Sequence, residues 1–243
     1  MYVREKKYAK SGVDPWVKCT KEEETRLLNK ADVIISIQHN EKEMFSKMVP
    51  KKKVICIQHF PGSISRIKNK SISKDIIMVV GSANPSNTYS IKKFLRESWP
   101  LIKKECPKAK LHVYGKLASK VQDKIEGVEK IGFIKNLETA YKNSKLVINP
   151  TLIGTGLKIK TVEALWHGKA LVTTKSGAEG LESGINKAFI VEDNMEKFGR
   201  HVASLLKDDL ARKALEKKAF EFAKKNFSLE KVFKELINVL EKV

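Results

Sequence analysis

The residues best suited to chemistry in this chain stand between positions 150 and 182. The run Pro150-Thr-Leu-Ile-Gly-Thr-Gly-Leu-Lys-Ile-Lys160 sets Gly154 and Gly156 ahead of Leu157, Lys158 and Lys160, and Glu163 follows about one turn later. Glycines let a backbone approach a ligand closely, and the free N–H groups of a helix start attract phosphate. Two ammonium groups and the helix dipole add to that attraction, so the loop could hold a diphosphate. A carboxylate one turn on could accept hydrogen bonds from a ribose diol. The same residues also fit a solvated amphipathic helix, with Lys158, Lys160 and Glu163 facing water. The segment by itself leaves both readings open.

Two further glycine points carry weaker signals, Gly81-Ser82 in Gly81-Ser-Ala-Asn-Pro-Ser-Asn87, and Gly115-Lys116. Gly154-Thr-Gly156 lacks the third glycine of a dinucleotide fingerprint, and no Gly-x4-Gly-Lys-Ser/Thr loop occurs. His39 and His59 end adjacent strand candidates, which would bring them near a cleft, or they are simply polar strand ends. His112, His167 and His201 take no role in this reading.

These loops need elements to hold them. From Asp75 onward apolar runs at 76–81, 110–115, 129–134, 145–150, 170–174 and 188–191 alternate with helical patterns at 86–104, 117–126, 136–143, 157–167 and 196–206. Strands alternating with helices predict right-handed crossovers and an α/β fold with a doubly wound parallel sheet. In such sheets ligands bind at the carboxyl ends of the strands. Upstream, 32–38 and 53–58 read as two more buried parallel strands around a helix at 40–48, after a helix at 21–30. Residues 61–74 are rich in breakers and predict a linker. Apolar stripes at Leu206, Leu210, Leu215, Ala219 and Phe222, and at Val232, Phe233, Leu236, Ile237 and Leu240, predict two closing helices. The expected organisation is a partial α/β unit at 1–60, the linker, a nucleotide-binding domain at 75–225, and a helix at 226–243 packing back on the N-terminal unit.

Composition narrows the function classes. The chain has 243 residues, 42% of them hydrophobic and 31% charged, which predicts a globular fold large enough to bury a core without staples. Cys19, Cys56 and Cys106 are odd in number and widely spaced, against a disulfide framework or a structural zinc site. With no apolar membrane span and no signal peptide pattern, a cytoplasmic location is expected. The net charge is +20, and 42 of the 48 basic residues are lysine. That excess suits an anionic membrane surface or a phosphorylated ligand, or simply reflects solvated background. Arginine, the residue of bidentate guanine readout, is scarce, and no nucleic-acid partner is expected.

The motifs taken together resemble the signature of GT-B glycosyltransferases, in particular the retaining "group 1" enzymes. The matching pieces are Gly154/Gly156, Lys158/Lys160, Glu163-Ala-Leu165, Gly168, Leu171-Val-Thr-Thr174 and Gly177-Ala-Glu-Gly-Leu181. Upstream, the Gly81–Asn87 loop with Phe94-Leu-Arg-Glu-Ser-Trp-Pro100, Leu111–Gly115, Ile131-Gly-Phe133 and Ser144–Pro150 match the opening and next strands of that family's donor domain. The resemblance covers roughly residues 75–225.

It implies a domain that binds a nucleoside-diphosphate sugar, UDP- or GDP-linked, as substrate, with no metal and no cofactor. By position, Glu163 would contact the ribose, while Gly156, Leu157 and Lys158 would surround the diphosphate and sugar. Lys160 would add charge there, Gly81 and Ser82 would form the opening phosphate loop beside Lys116, and Phe133 and Ile134 would lie beside the base. No Asp-x-Asp metal motif occurs. Three features depart from the family. Thr155 stands where many members carry the first glutamate of Glu-x7-Glu, and Ser82 where an arginine is common. Only about sixty residues precede the linker, against about 150–200 for one full domain. The implied partners are therefore a lipid-linked acceptor or anionic membrane surface at the inner face of the membrane, and a separate acceptor-domain chain. A catalytically inactive or regulatory nucleotide-sugar-binding protein is the alternative.

Overall fold

The computed structural model describes residues 18–62 and 75–241. The chain begins with helix α1 (Lys21–Leu28), whose Thr20 and Glu23 form a reciprocal capping box. A small parallel sheet follows, strands β1 (Val33–Ser36) and β2 (Lys53–Cys56) joined through helix α2 (His39–Met48). Ile34, Phe45, Val49 and Val54 make its own small core. Residues 63–74, most of the expected linker, lie outside the described residues, as do 1–17.

The main unit is a six-stranded sheet in the order β5-β4-β3-β6-β7-β8, with every neighbouring pair parallel. Its strands are β3 (Ile76–Val80), β4 (Lys110–Tyr114), β5 (Val128–Gly132), β6 (Leu146–Asn149), β7 (Leu171–Thr173) and β8 (Ile190–Val191). The period-two alternation of a strand sends Ile77 and Val79 into one core and Met78 into another. Helices α3 (Pro85–Glu97), α4 (Trp99–Glu105) and α7 (Met195–Lys207) cover the first face through Phe94, Trp99 and Phe198. Helices α5 (Leu137–Asn143), α6 (Ile159–Trp166) and α8 (Asp209–Phe227) cover the second through Tyr141, Trp166 and Phe227. This is the expected doubly wound α/β architecture. Strand order runs outward in both directions from the β3/β6 pair, which makes that pair the topological switch point.

Helix α9 (Leu229–Leu240) returns to the small sheet. Its Glu235 accepts hydrogen bonds from Lys42 Nζ at 2.8 Å and from the Cys56 amide at 2.9 Å. Phe60, just past β2, packs edge-on against Trp166 of α6 and Phe233 of α9.

Four local expectations differ from the structure. The single helix at 86–104 is two, broken at Ser98, because Pro100 cannot continue the hydrogen-bond ladder and the Ser98 hydroxyl donates to the Met195 carbonyl. The helix at 117–126 is a 3-10 turn at Lys116–Lys120 followed by turns in which Lys124 and Gly127 take left-handed backbone. In α8 the buried stripe is Arg212, Glu216, Ala219, Ala223 and Phe227, while Leu210 is 81% exposed. The guanidinium and carboxylate one turn apart pair with each other, so a polar stripe can be buried where an apolar one was expected. The stripe on α9 is likewise covered only at its start, with Val232 buried and Ile237 and Leu240 exposed. No helix among the described residues is long and apolar enough to cross a membrane.

Candidate functional site

At the carboxyl ends of β3 and β6 the surface opens into a cleft of about 520 Å³. Two loops make it. The first leaves β3 at Gly81, whose amide donates to the Tyr114 carbonyl and whose own carbonyl accepts from the Leu117 amide. The β4 loop comes so close there that a Cβ on Gly115 would lie 2.5 Å from the Gly81 oxygen, and Gly115 also has φ +76°. Only glycine serves at that position. Asn84 then caps α3, its side chain accepting from the Asn87 amide at 2.7 Å, and Pro85 occupies the first helical turn.

The second loop runs from Pro150 to Lys158 and carries Gly154 at φ +145° and Gly156 at φ +80°. It is anchored on both sides. The Ser86 hydroxyl donates to the Ile153 carbonyl, the Leu152 amide to Ser90 Oγ at 3.0 Å, and the Thr174 hydroxyl to the Thr151 carbonyl. Beneath it Asn149 Nδ2 donates to Thr161 Oγ1, which donates in turn to the Gly177 carbonyl, both at 2.8 Å. These buried contacts set the direction in which α6 enters the cleft. The small sheet closes in from the other side. A Cβ on Gly180 would meet Gln38 Oε1 at 2.6 Å, and one on Gly156 would meet Ile37 at 3.5 Å.

Lys158, Lys160 and Glu163 all line this cleft, with Gly81, Ser82, Gly154 and Leu157. The Lys158 ammonium donates to the Gly156 carbonyl at 2.6 Å, and that of Lys160 to Asn87 Oδ1 at 3.0 Å. Lys160 as a whole is half-buried, yet its ammonium is desolvated. Burial, and then the charge of Lys158, pull it down from 10.5 to about 7. Glu163 shifts the other way, since burial raises its carboxyl and the Tyr141 hydroxyl, 3.4 Å away, only partly offsets that. Tyr141 is fully buried and stacks on His167 with ring centroids 4.5 Å apart. The cleft thus sets Lys158 beside Lys160 and Glu163, and the last two, deprived of water, stand to gain from a bound polar ligand.

The structure does not bring every expected residue there. Gly156 shapes the loop without lining the cleft. Lys116 is exposed at the start of the 3-10 turn, Phe133 is 82% exposed beyond β5, and half-buried Ile134 packs on the second core. All three belong to loops after β4 and β5, one and two strands to the side of β3. Neither His39 nor His59 lines the cleft, and His59, whose imidazole pKa is lowered by burial, lies three residues past β2. Asn84, Asn87, Tyr141 and Thr161 belong to the site or its support and were not singled out from the sequence. Nothing local in the run Asn84-Pro-Ser-Asn87 reveals that Asn87 meets a lysine from 73 positions later.

The chain and its fold are similar to known proteins. A family model described as "Glycosyl transferases group 1" matches residues 74–208. A Klebsiella pneumoniae protein described as an "Uncharacterized 44.6 kDa protein in cps region" is 25% identical over 170 residues, 65% of this chain and 44% of that protein. The poly(glycerol-phosphate) alpha-glucosyltransferase of Bacillus subtilis (strain 168) is 28% identical over 140 residues, 53% of this chain and 21% of that enzyme. The chain therefore spans less than half the length of either curated relative. Among solved structures, a variant of S. aureus TarM in complex with fondaparinux, alpha-GlcNAc-glycerol and UDP superimposes with a TM-score of 0.76 at 17% identity, covering 90% of this chain and 46% of TarM. Anabaena HepE in complex with UDP and glucose superimposes with a TM-score of 0.71 at 13% identity, covering 92% of this chain and 67% of HepE.

Proposed function

The chain belongs to the group 1 glycosyltransferases, and from that premise we propose that its cleft binds the nucleoside diphosphate of a nucleotide-sugar, UDP- or GDP-linked, whose glycosyl group passes to an acceptor. One observation carries the reading: Lys158, Lys160 and Glu163 meet both strand-end loops at the switch point of the sheet. The TarM and HepE structures were both solved in complex with UDP, which puts UDP first in the order of testing.

In this reading the diphosphate lies against the start of α6, with Lys158 and Lys160 as its countercharges. When the bond from the anomeric carbon to the diphosphate breaks, its electron pair leaves on a phosphate oxygen. Preorganised ammonium groups in a desolvated cleft stabilise that charge as it develops. Glu163 accepts from the ribose hydroxyls, which returns to the carboxylate the hydrogen bonding it lost on burial. The base reaches toward Phe133 and Ile134, two strand spacings or about 10 Å from β3.

The acceptor side is proposed to come from a separate acceptor-domain chain working with the two-stranded unit of β1 and β2. The net charge of +20 supports peripheral attachment to an anionic membrane surface, where a lipid-linked acceptor would lie. Attachment of that kind weakens with salt, and vesicle sedimentation that ignores anionic lipid content would remove it. For the donor site the test is calorimetry with UDP, GDP, ADP and uridine. Micromolar or tighter binding of one diphosphate with weaker binding of its nucleoside is expected. No heat with any of them would overturn the proposal.

A further inference from the structure

We infer that Asn87 is a positioning residue for the diphosphate, joining the loop after β3 to the cation on α6; the inference rests on the donor-site reading above. Its side-chain amide is used at both ends. Nδ2 donates to the Ser82 carbonyl at 3.1 Å and to Ser82 Oγ at 3.2 Å, and Oδ1 accepts from Lys160 Nζ at 3.0 Å. The assignment of the two ends is forced, because an ammonium only donates and a carbonyl only accepts. The Asn87 backbone is held as well, its amide donating to Asn84 Oδ1 at 2.7 Å. Asn84 closes the ring by donating from Nδ2 to Ser82 Oγ at 3.1 Å.

This arrangement explains a combination that is otherwise costly. Lys160 is desolvated beside another cation, and a protein could stabilise it with a carboxylate. It supplies a neutral amide instead. An amide orients the ammonium without pairing its charge, so that charge is left for an anion entering the cleft, which would favour the protonated form that burial disfavours. The charged groups sharing that cleft are Lys158, before Lys160 on the same segment, and Glu163, one turn after it. Neither does the work of Asn87, since Lys158 repels the ammonium and Glu163 bonds to Tyr141. The same amide fixes Ser82, so the two loops that face the diphosphate move as one body.

The test compares Asn87→Ala and Asn87→Asp with the wild-type chain, titrating UDP and uridine between pH 6 and 9. Asn87→Ala should weaken UDP about tenfold and leave uridine unchanged, the loss expected for one hydrogen bond to a charged group. Asn87→Asp should weaken UDP at least as much, because the introduced carboxylate pairs with Lys160 in place of phosphate. It should also move the fall of UDP affinity with rising pH to higher pH, since the pair holds the ammonium charged. Thermal melting reports folding, and if Asn87→Ala fails to fold, Asn87→Asp, of the same shape, carries the test. Wild-type UDP affinity and pH profile in both variants would overturn the role of Asn87 while leaving the donor site standing. Equal losses for UDP and uridine would reduce Asn87 to a structural residue and overturn it too. If the wild-type chain prefers another diphosphate of the panel, that one and its nucleoside replace UDP and uridine in the comparison. A wild-type chain that binds none of UDP, GDP and ADP would instead overturn the donor-site reading, and this role with it.

Discussion

Helix α6 lies between two lysines that burial treats alike and the protein treats differently. Lys169, just past its carboxyl end, is fully buried, and desolvation lowers its ammonium to about 8. Lys160, in its first turn, falls to about 7. The Lys169 ammonium donates to the Ser144 carbonyl at 2.8 Å, and the charges of Glu216 and Arg212 on α8 lie around it. Lys160 meets an amide and an open cleft. A buried cation enclosed by the protein's own acceptors belongs to the architecture. A desolvated cation left facing a cavity is available to a ligand. The contrast separates structural from functional charge more cleanly than burial alone, since burial is common to both.

Variants at the two ends of α6 can break this contrast. The largest expected effect is on stability at the closed end. Lys169→Ala removes a buried stem and leaves the Ser144 carbonyl without its donor, at a cost of about 2–4 kcal/mol. Chemical denaturation should register that loss while the folded fraction binds UDP as before. A simultaneous collapse of UDP affinity would mean that the two ends are not independent.

At the open end the effects should reverse. Glu163→Ala should leave the chain folded, losing at most about 1 kcal/mol for the long bond from the buried Tyr141 hydroxyl, and weaken nucleotide binding by about 1.5–3 kcal/mol, tenfold to a hundredfold, because a charge-assisted bond to a ribose hydroxyl is lost. Calorimetric affinities equal to wild type would refute the assignment. Lys158→Ala should cost UDP about tenfold and uridine almost nothing, since its proposed partner is phosphate. A loss shared by UDP and uridine would move Lys158 away from the diphosphate.

Proton linkage sharpens the comparison further. Both lysines hold their protons less tightly in the folded chain than their ordinary 10.5. The unfolded chain therefore binds more protons, and each contributes stability that rises with pH, from about 7 for Lys160 and about 8 for Lys169 up to 10.5. A bound diphosphate favours the charged form of Lys160 alone. UDP affinity should accordingly fall as pH rises past 7, in the window where the free chain gains stability. Melting curves at pH 6.5 and 8.5, with and without UDP, would show the stabilisation by UDP shrinking at the higher pH. The smallest effect is expected from Lys213→Ala, an exposed position on α8, within about 0.5 kcal/mol for stability and neutral for binding. A measurable loss of UDP affinity there would point to the overall charge of +20 as the source of binding.

Much of this was legible in the order of residues. Apolar runs alternating with helical patterns allow only a parallel sheet wound on both faces, because each strand is buried on two sides and each crossover returns in the same hand. The glycines at 81, 115, 154 and 156 marked loops at strand ends, and Lys158, Lys160 and Glu163 were readable as a group because a single helix start carries them. Local signals of this kind survive without tertiary context. What they could not convey was which loops share a cleft. Strand order decides that, setting β3 beside β6 across 70 residues of sequence while Lys116, Phe133 and Ile134 follow strands farther along the sheet. Packing likewise buried Arg212 and Glu216 and exposed Leu210, since a guanidinium placed between Asp209 and Glu216 competes with an apolar stripe for the same face. The amide of Asn87 became part of a charged site only because the sheet brings α3 and α6 together. Residue type and spacing thus determined the elements and the chemistry they carry. Contact between distant segments decided which of those groups lose their water together, and that desolvation, shared by Lys160 and Glu163, is the physical basis of the proposed donor site.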